Sequence, residues 1–110
     1  MDERAKRIGL NEALFREVNE RVRSVNADFG DVVGEAQFVC ECGDDSCTEP
    51  IEVSLVEYER VRSDPTLFFV RPGHELPDVE SAVERADAYV VVRKHSGDPA
   101  ELAEQTDPRT

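Results

Sequence analysis

The sequence predicts an α+β fold, and three observations carry that reading. A stripe of apolar residues at helical spacing fills the first part of the chain, short apolar runs of strand length follow, and Gly, Pro, Asp and Ser punctuate them. The resulting order of helix, strand, strand, helix, strand, strand favours an N-terminal helix packed on a small, mostly antiparallel sheet. At 110 residues the chain has the length of a single domain. Hydrophobic residues make up 39 % and aromatics 6 %, with no Trp. The expected core is therefore small and aliphatic, and a staple beyond apolar burial would help it fold.

Residues 10–29 (LNEALFREVNERVRSVNADF) are expected to be helical. Leu14, Phe15, Val18, Val22, Val25 and Phe29 recur at steps of mostly three and four, the spacing of a core-facing stripe. Asn11 reads as the N-cap, with Leu10 and Phe15 as a hydrophobic staple across it. Glu12–Arg16 and Glu17–Arg21 are i, i+4 pairs in the favourable order. A loop over 30–36 leads to a strand at 37–41, which delivers Cys40 into a Gly-Asp-Asp-Ser turn. Residues 50–53 alternate apolar and polar and read as a second strand. Ser54 and Glu57 form a capping box for a short helix, with Leu55, Tyr58 and Val61 inward.

Asp64-Pro65 marks a turn or helix start. Residues 67–70 (LFFV) and 88–93 (AYVVVR) read as strands. The run 77–86 between them fits an extended stretch or one or two helical turns, and the pattern does not decide. Tyr58 and Tyr89 are expected at the core edge. The expected organisation is a flexible N-terminus at 1–9, one α+β zinc-binding domain at 10–95 and a polar tail at 96–110. In the tail, Asp98-Pro99 is a candidate start for a short helix, and the last residues are expected to be disordered.

Charge excludes several partners. Thirteen Lys and Arg against 25 Asp and Glu give a formal net charge of −12. A phosphate backbone needs a positive face, so no nucleic acid is expected. An anionic membrane surface is disfavoured on the same ground. The charged start MDERAKRIGLNE shows no apolar leader, and no run approaches the roughly 20 apolar residues of a membrane span. A cytoplasmic location is expected.

The zinc reading comes from the cysteines. Cys40, Cys42 and Cys47 are the only three in the chain and lie in VCECGDDSC. An odd, clustered set in a reducing compartment is a poor disulfide framework and a good metal one. Thiolates favour Zn2+, and a structural zinc wants four ligands in a tetrahedron. The fourth is expected from a histidine. His74 follows a Pro72-Gly73 corner that can present it at a sheet edge, and is favoured over His95, which follows a long strand. Gly43 is expected at positive φ, so that backbone N–H groups can face sulfur. The loop is zinc-knuckle-like. Buried core thiols and a redox pair are the competing readings. Four protein ligands leave no open position, so the site is expected to be structural. If the histidine stayed away, water would take its place and hydrolysis would become possible. No deaminase, nucleophile-elbow, P-loop or H-E-x-x-H pattern is present.

From Val25 to Glu59 there is no Lys, Arg or His, while Asp28, Asp31, Glu35, Glu41, Asp44, Asp45, Glu49, Glu52, Glu57 and Glu59 all fall there. Such a field is either a solvated surface or a docking face for a basic protein partner. The spaced carboxylates of a calcium loop are missing.

The segments NEALFREVNERV, FVCECGDDSC, IEVSLVEYERVRSDPTLFFVRPGHE and YVVVRK together resemble a group of small bacterial proteins, mainly actinobacterial, over roughly residues 10–95. The resemblance implies no activity. It implies that FVCECG and PGHE belong to one module, which supports pairing Cys40, Cys42 and Cys47 with His74. The expected function is a non-enzymatic accessory or regulatory domain that binds another protein. A thiol-based redox- or zinc-responsive switch is the alternative, and a small metalloenzyme is third.

Overall fold

A computed structural model describes residues 2–28, 35–47 and 49–109 of the chain. The described elements run α1 (Glu3–Asp28), β1 (Glu35–Val39), β2 (Pro50–Ser54), α2 (Leu55–Arg62), β3 (Leu67–Val70), β4 (Glu80–Arg85), β5 (Val90–Lys94) and α3 (Asp98–Gln105). This is the expected α+β class. The strands form two small sheets rather than one, both antiparallel: β1-β2, and β3-β5-β4 with β5 in the middle. Phe29 and most of the loop expected over 30–36 lie outside the described residues; Glu35 and Ala36 already belong to β1.

The first helix starts well before Asn11. Asp2 caps it, its Oδ1 accepting the Ala5 N–H at 2.7 Å. Asn11 instead donates to the Gly43 carbonyl at 2.9 Å. The expected staple does not form, because Leu10 is exposed. The expected core stripe is also rotated. Leu14 and Val25 face solvent, while Ile8, Glu12, Arg16 and Asn19 are buried. The reason lies in what α1 covers. Arg16 donates to the carbonyls of Pro65 and Ala103, both at 2.6 Å, and Asn19 donates to that of Val39 at 2.9 Å. Loop, helix-end and strand carbonyls that α1 buries need donors, so the inward face of the helix is polar.

The second helix follows its sequence signals. Ser54 Oγ accepts the Glu57 N–H at 3.1 Å, and Leu55, Tyr58 and Val61 are buried. Tyr58 is at the centre of the core rather than its edge. It stacks on Phe38 at 4.3 Å between centroids and lies 5.9 Å from Phe69, while its hydroxyl donates to Glu20 at 2.7 Å. Tyr89 is half-buried, edge-on to Phe69. The undecided run 77–86 is mostly strand β4, with an irregularity between Ala82 and Glu84 that leaves Val83 exposed.

Strands β3 and β5 divide the interior. Leu67, Phe69 and Val91 join Phe38, Ile51, Val53, Leu55, Tyr58 and Val61 on one side. Phe68, Val70, Val90 and Val92 join the three cysteines and Ala103 on the other. The period-two alternation of a strand produces this division. Where α1 crosses the second sheet, Lys94 Nζ lies 2.7 Å from Glu12 and 3.0 Å from Glu80, and all three are buried.

Candidate metal centre

The cysteine loop is built by continuing one sheet alongside the other. After β1 the Cys40 N–H donates to Glu49 O at 2.9 Å, and the Glu41 N–H donates to Phe69 O at 2.8 Å. The chain therefore leaves β1 and runs beside β3. The Cys47 N–H closes the following turn on Asp44 O at 3.0 Å. Asp44 Oδ1 braces that turn by accepting from Ser46 N at 3.0 Å and Ser46 Oγ at 2.7 Å. Those bonds hold the exposed Asp44 carboxyl below its usual range.

His74 arrives from the far end of β3. Residues 71–74 close a turn with the His74 N–H on Arg71 O at 2.9 Å. Pro72 pre-sets φ at the second position, and Gly73 takes φ 92° at the third, where L side chains are disfavoured. This corner swings the imidazole back over the cysteines. Gly43 is not at positive φ. Its reason for being glycine is close approach: a Cβ there would lie 2.6 Å from the Ile8 side chain of α1.

One ligand atom from each of Cys40, Cys42, Cys47 and His74 lies within 4.8 Å of the other three, and the thiols are all buried. His74 Nδ1 is 3.5 Å from Cys40 Sγ and 3.7 Å from Cys47 Sγ. For metal–sulfur bonds of about 2.3 Å and a metal–nitrogen bond of about 2.0 Å, a tetrahedron has S···N edges of about 3.5 Å. The group can hold a metal ion. His95 lies outside the cluster, its Nε2 3.0 Å from Ser81 Oγ.

The thiols are electrostatically unequal. The Arg71 N–H donates to Cys40 Sγ at 3.2 Å. Cys42 is driven down to about 5, first by its hydrogen bond with Cys40, while Cys40 is driven up by the same bond and then by burial. Cys47 is raised, first by burial. A bound cation would displace protons from Cys40 and Cys47, which are both driven up.

Sequence reading missed two supporting residues. Glu41, counted in the acidic field, is fully buried. Its Oε1 accepts the Phe69 N–H at 2.9 Å and its Oε2 accepts Asn19 Nδ2 at 2.8 Å. Burial raises its pKa, with the Asn19 and Phe69 bonds opposing. Asn19 also accepts the Val39 N–H at 2.8 Å, so one amide ties α1 to both the strand and the loop. The local pattern carried no signal for Glu41: alternation turns a residue between two inward cysteines away from them, and the partners that bury it lie 22 and 28 residues away in the chain.

No protein-family model, curated protein or solved structure matches the chain. Among the described residues, no helix is long and apolar enough to cross a membrane.

Proposed function

We propose that the chain is a small zinc-binding domain with a structural Cys3His centre, acting in the cytoplasm as a non-enzymatic accessory or regulatory module that docks a protein partner. The convergence of three buried thiols and one imidazole from two separate turns carries this reading. Thiolate-rich sets select zinc among abundant intracellular cations, and four protein ligands close the coordination sphere. Three thiolates, a neutral imidazole and Zn2+ leave one net negative charge. The N–H that Arg71 donates to Cys40 Sγ suits that charge.

The partner reading rests on unequal neutralisation of the acidic stretch. Glu57 pairs with Arg60, and Glu59 pairs with Arg23 and Arg109. Around the cysteine loop Asp44, Asp45, Glu49 and Glu52 are exposed, and among the described residues only Glu49 of these four has an ion-pair partner, Arg71 at 3.9 Å. That surface suits a basic partner, and capture of one should weaken with salt.

Elemental analysis of purified protein tests the centre. About one zinc per chain is expected. His74→Ala is expected to weaken zinc binding by more than the roughly 10–100-fold typical of an outer-shell change. His95→Ala should leave it unchanged. Metal-free protein at full yield and full stability, or a His74→Ala variant that keeps wild-type affinity, would overturn the assignment.

A further inference from the structure

The outward face of α1 is unpartnered. Leu10, Leu14, Glu17, Arg21 and Val25 are all exposed, and at 100° per residue they fall within an arc of about 80°. Leu10, Leu14 and Val25 keep 46 %, 55 % and 53 % of their surface in solvent. Two adjoining hollows, of about 420 and 580 Å³, run along this face and share Glu17 and Pro108 in their walls. Neither Glu17 nor Arg21 has an ion-pair partner among the described residues, although most other arginines do.

We infer that this face joins two copies of the chain, with their first helices packed antiparallel about a two-fold axis midway between Glu17 and Arg21. Charge selects both the partner and the direction. The chain carries −12, yet this strip carries one acid and one base. It is neutral, so two such chains can approach on it without net like-charge repulsion, and it is not the surface that a basic partner would choose. In the antiparallel register Glu17 of each copy lies beside Arg21 of the other, making the same contact twice, as an isologous interface requires. Leu14 then meets Val25 of the second copy at both ends. A parallel pairing would set Glu17 on Glu17 and Arg21 on Arg21, which like charge forbids. Leu10 to Val25 spans about 22 Å of helix, a strip at the small end of specific interfaces, so the dimer is expected to be weak and to form in the micromolar range. The contacts of Ile8 and Asn11 with the metal loop lie off this strip, so the inference does not depend on the zinc reading.

Sedimentation equilibrium on the full chain, from micromolar to about 1 mM, tests this. Wild type is expected to go from monomer to dimer. Glu17→Arg and Arg21→Glu should each weaken the dimer roughly tenfold or more, because each turns both cross-pairs into like-charge contacts. Mixing the two variants should give a heterodimer, because one copy then carries bases at both positions and the other acids at both, so each cross-pair again joins opposite charges. The double variant Glu17→Arg, Arg21→Glu should recover the wild-type association. Both positions are exposed, so the variants should keep the wild-type circular dichroism. A wild type that stays monomeric across the range overturns the proposal. So does a dimer indifferent to the single exchanges, which would place the contact on another face, or association that neither mixing nor the double variant restores.

Discussion

The two sides of the β3–β5 sheet are closed by different physics. One side is a self-sufficient apolar core. Phe38, Tyr58 and Phe69 stack in series, with Ile51, Val53, Leu55 and Val61 filling around them. On the other side Phe68, Val70, Val90 and Val92 meet three thiols and one alanine. The rest of that side is closed by polar groups: Arg16 over Phe68 at 4.4 Å, and Lys94 Nζ between Glu12 and Glu80. Apolar burial is tolerant of small shifts, whereas buried polar groups cost free energy unless each finds its partner. The comparison teaches that half of a very small domain can be left to buried thiols and paired polar groups when the other half is closed by apolar area.

Metal removal should break the symmetry most. Chelation is expected to cost the fold more than any single substitution below, upward of about 5 kcal/mol, since binding free energy at such a centre is folding free energy. Hydrogen exchange should show amides of 40–47 and 70–74 losing protection ahead of those in α2 and β2. Identical melting curves with and without chelator would remove the distinction between the two sides.

Neighbouring phenylalanines sharpen it. Phe68 and Phe69 are both buried but face opposite sides. Each change to alanine is expected to lower stability by about 3–5 kcal/mol. Only Phe68→Ala should also weaken zinc binding, because it empties the space behind the sulfurs and removes the ring under Arg16. Titrating both variants with a competing chelator separates these outcomes. Equal zinc affinities would mean that the centre does not draw on its side of the sheet.

The buried Glu12–Lys94–Glu80 group tests the polar closure. Lys94→Met leaves two buried carboxylates without their cation and is expected to cost about 3 kcal/mol at neutral pH. Glu12 is held well above the carboxylate range, first by burial, with the Glu80 charge adding and Lys94 opposing. An acid with a raised folded-state pKa favours the fold below its unfolded value, near 4.5, and loses that contribution as pH climbs through the folded value. Glu12→Gln removes the titration. Its denaturant midpoint, relative to wild type, should therefore rise steadily with pH above about 4.5. A difference that stays flat with pH would show that the fold does not raise the Glu12 pKa.

What the sequence made legible follows the same division. The capping of α2, the inward Leu55, Tyr58 and Val61, and strands β3 and β5 were readable because apolar period and turn chemistry determine them. The cysteines and the Pro72-Gly73 corner were readable because clustered thiols and positive φ leave residue-type signatures. The rotation of α1 was not readable. A stripe of Leu and Val points inward only if the surface beneath is apolar, and here that surface presents the carbonyls of Val39, Pro65 and Ala103. Glu12–Arg16 looked like a surface pair for the same reason. Such a preference is set by partners tens of residues away, and no local window contains them.

The smallest expected effect marks the boundary between the two sides. Ser54 joins β2 to α2, and its Oγ takes the Glu57 N–H. Both elements belong to the aromatic side, and the contact lies outside the cysteine cluster. Ser54→Ala leaves that N–H without its cap and is expected to cost about 1 kcal/mol. For a domain of this length that corresponds to a fall of roughly 4–8 °C in Tm. Zinc affinity should be unchanged, because the helix start is coupled to the centre only through global unfolding. A Ser54→Ala protein that binds zinc more weakly while still folded would show that the two sides communicate through β2, and the division drawn above would have to give way to a single coupled core.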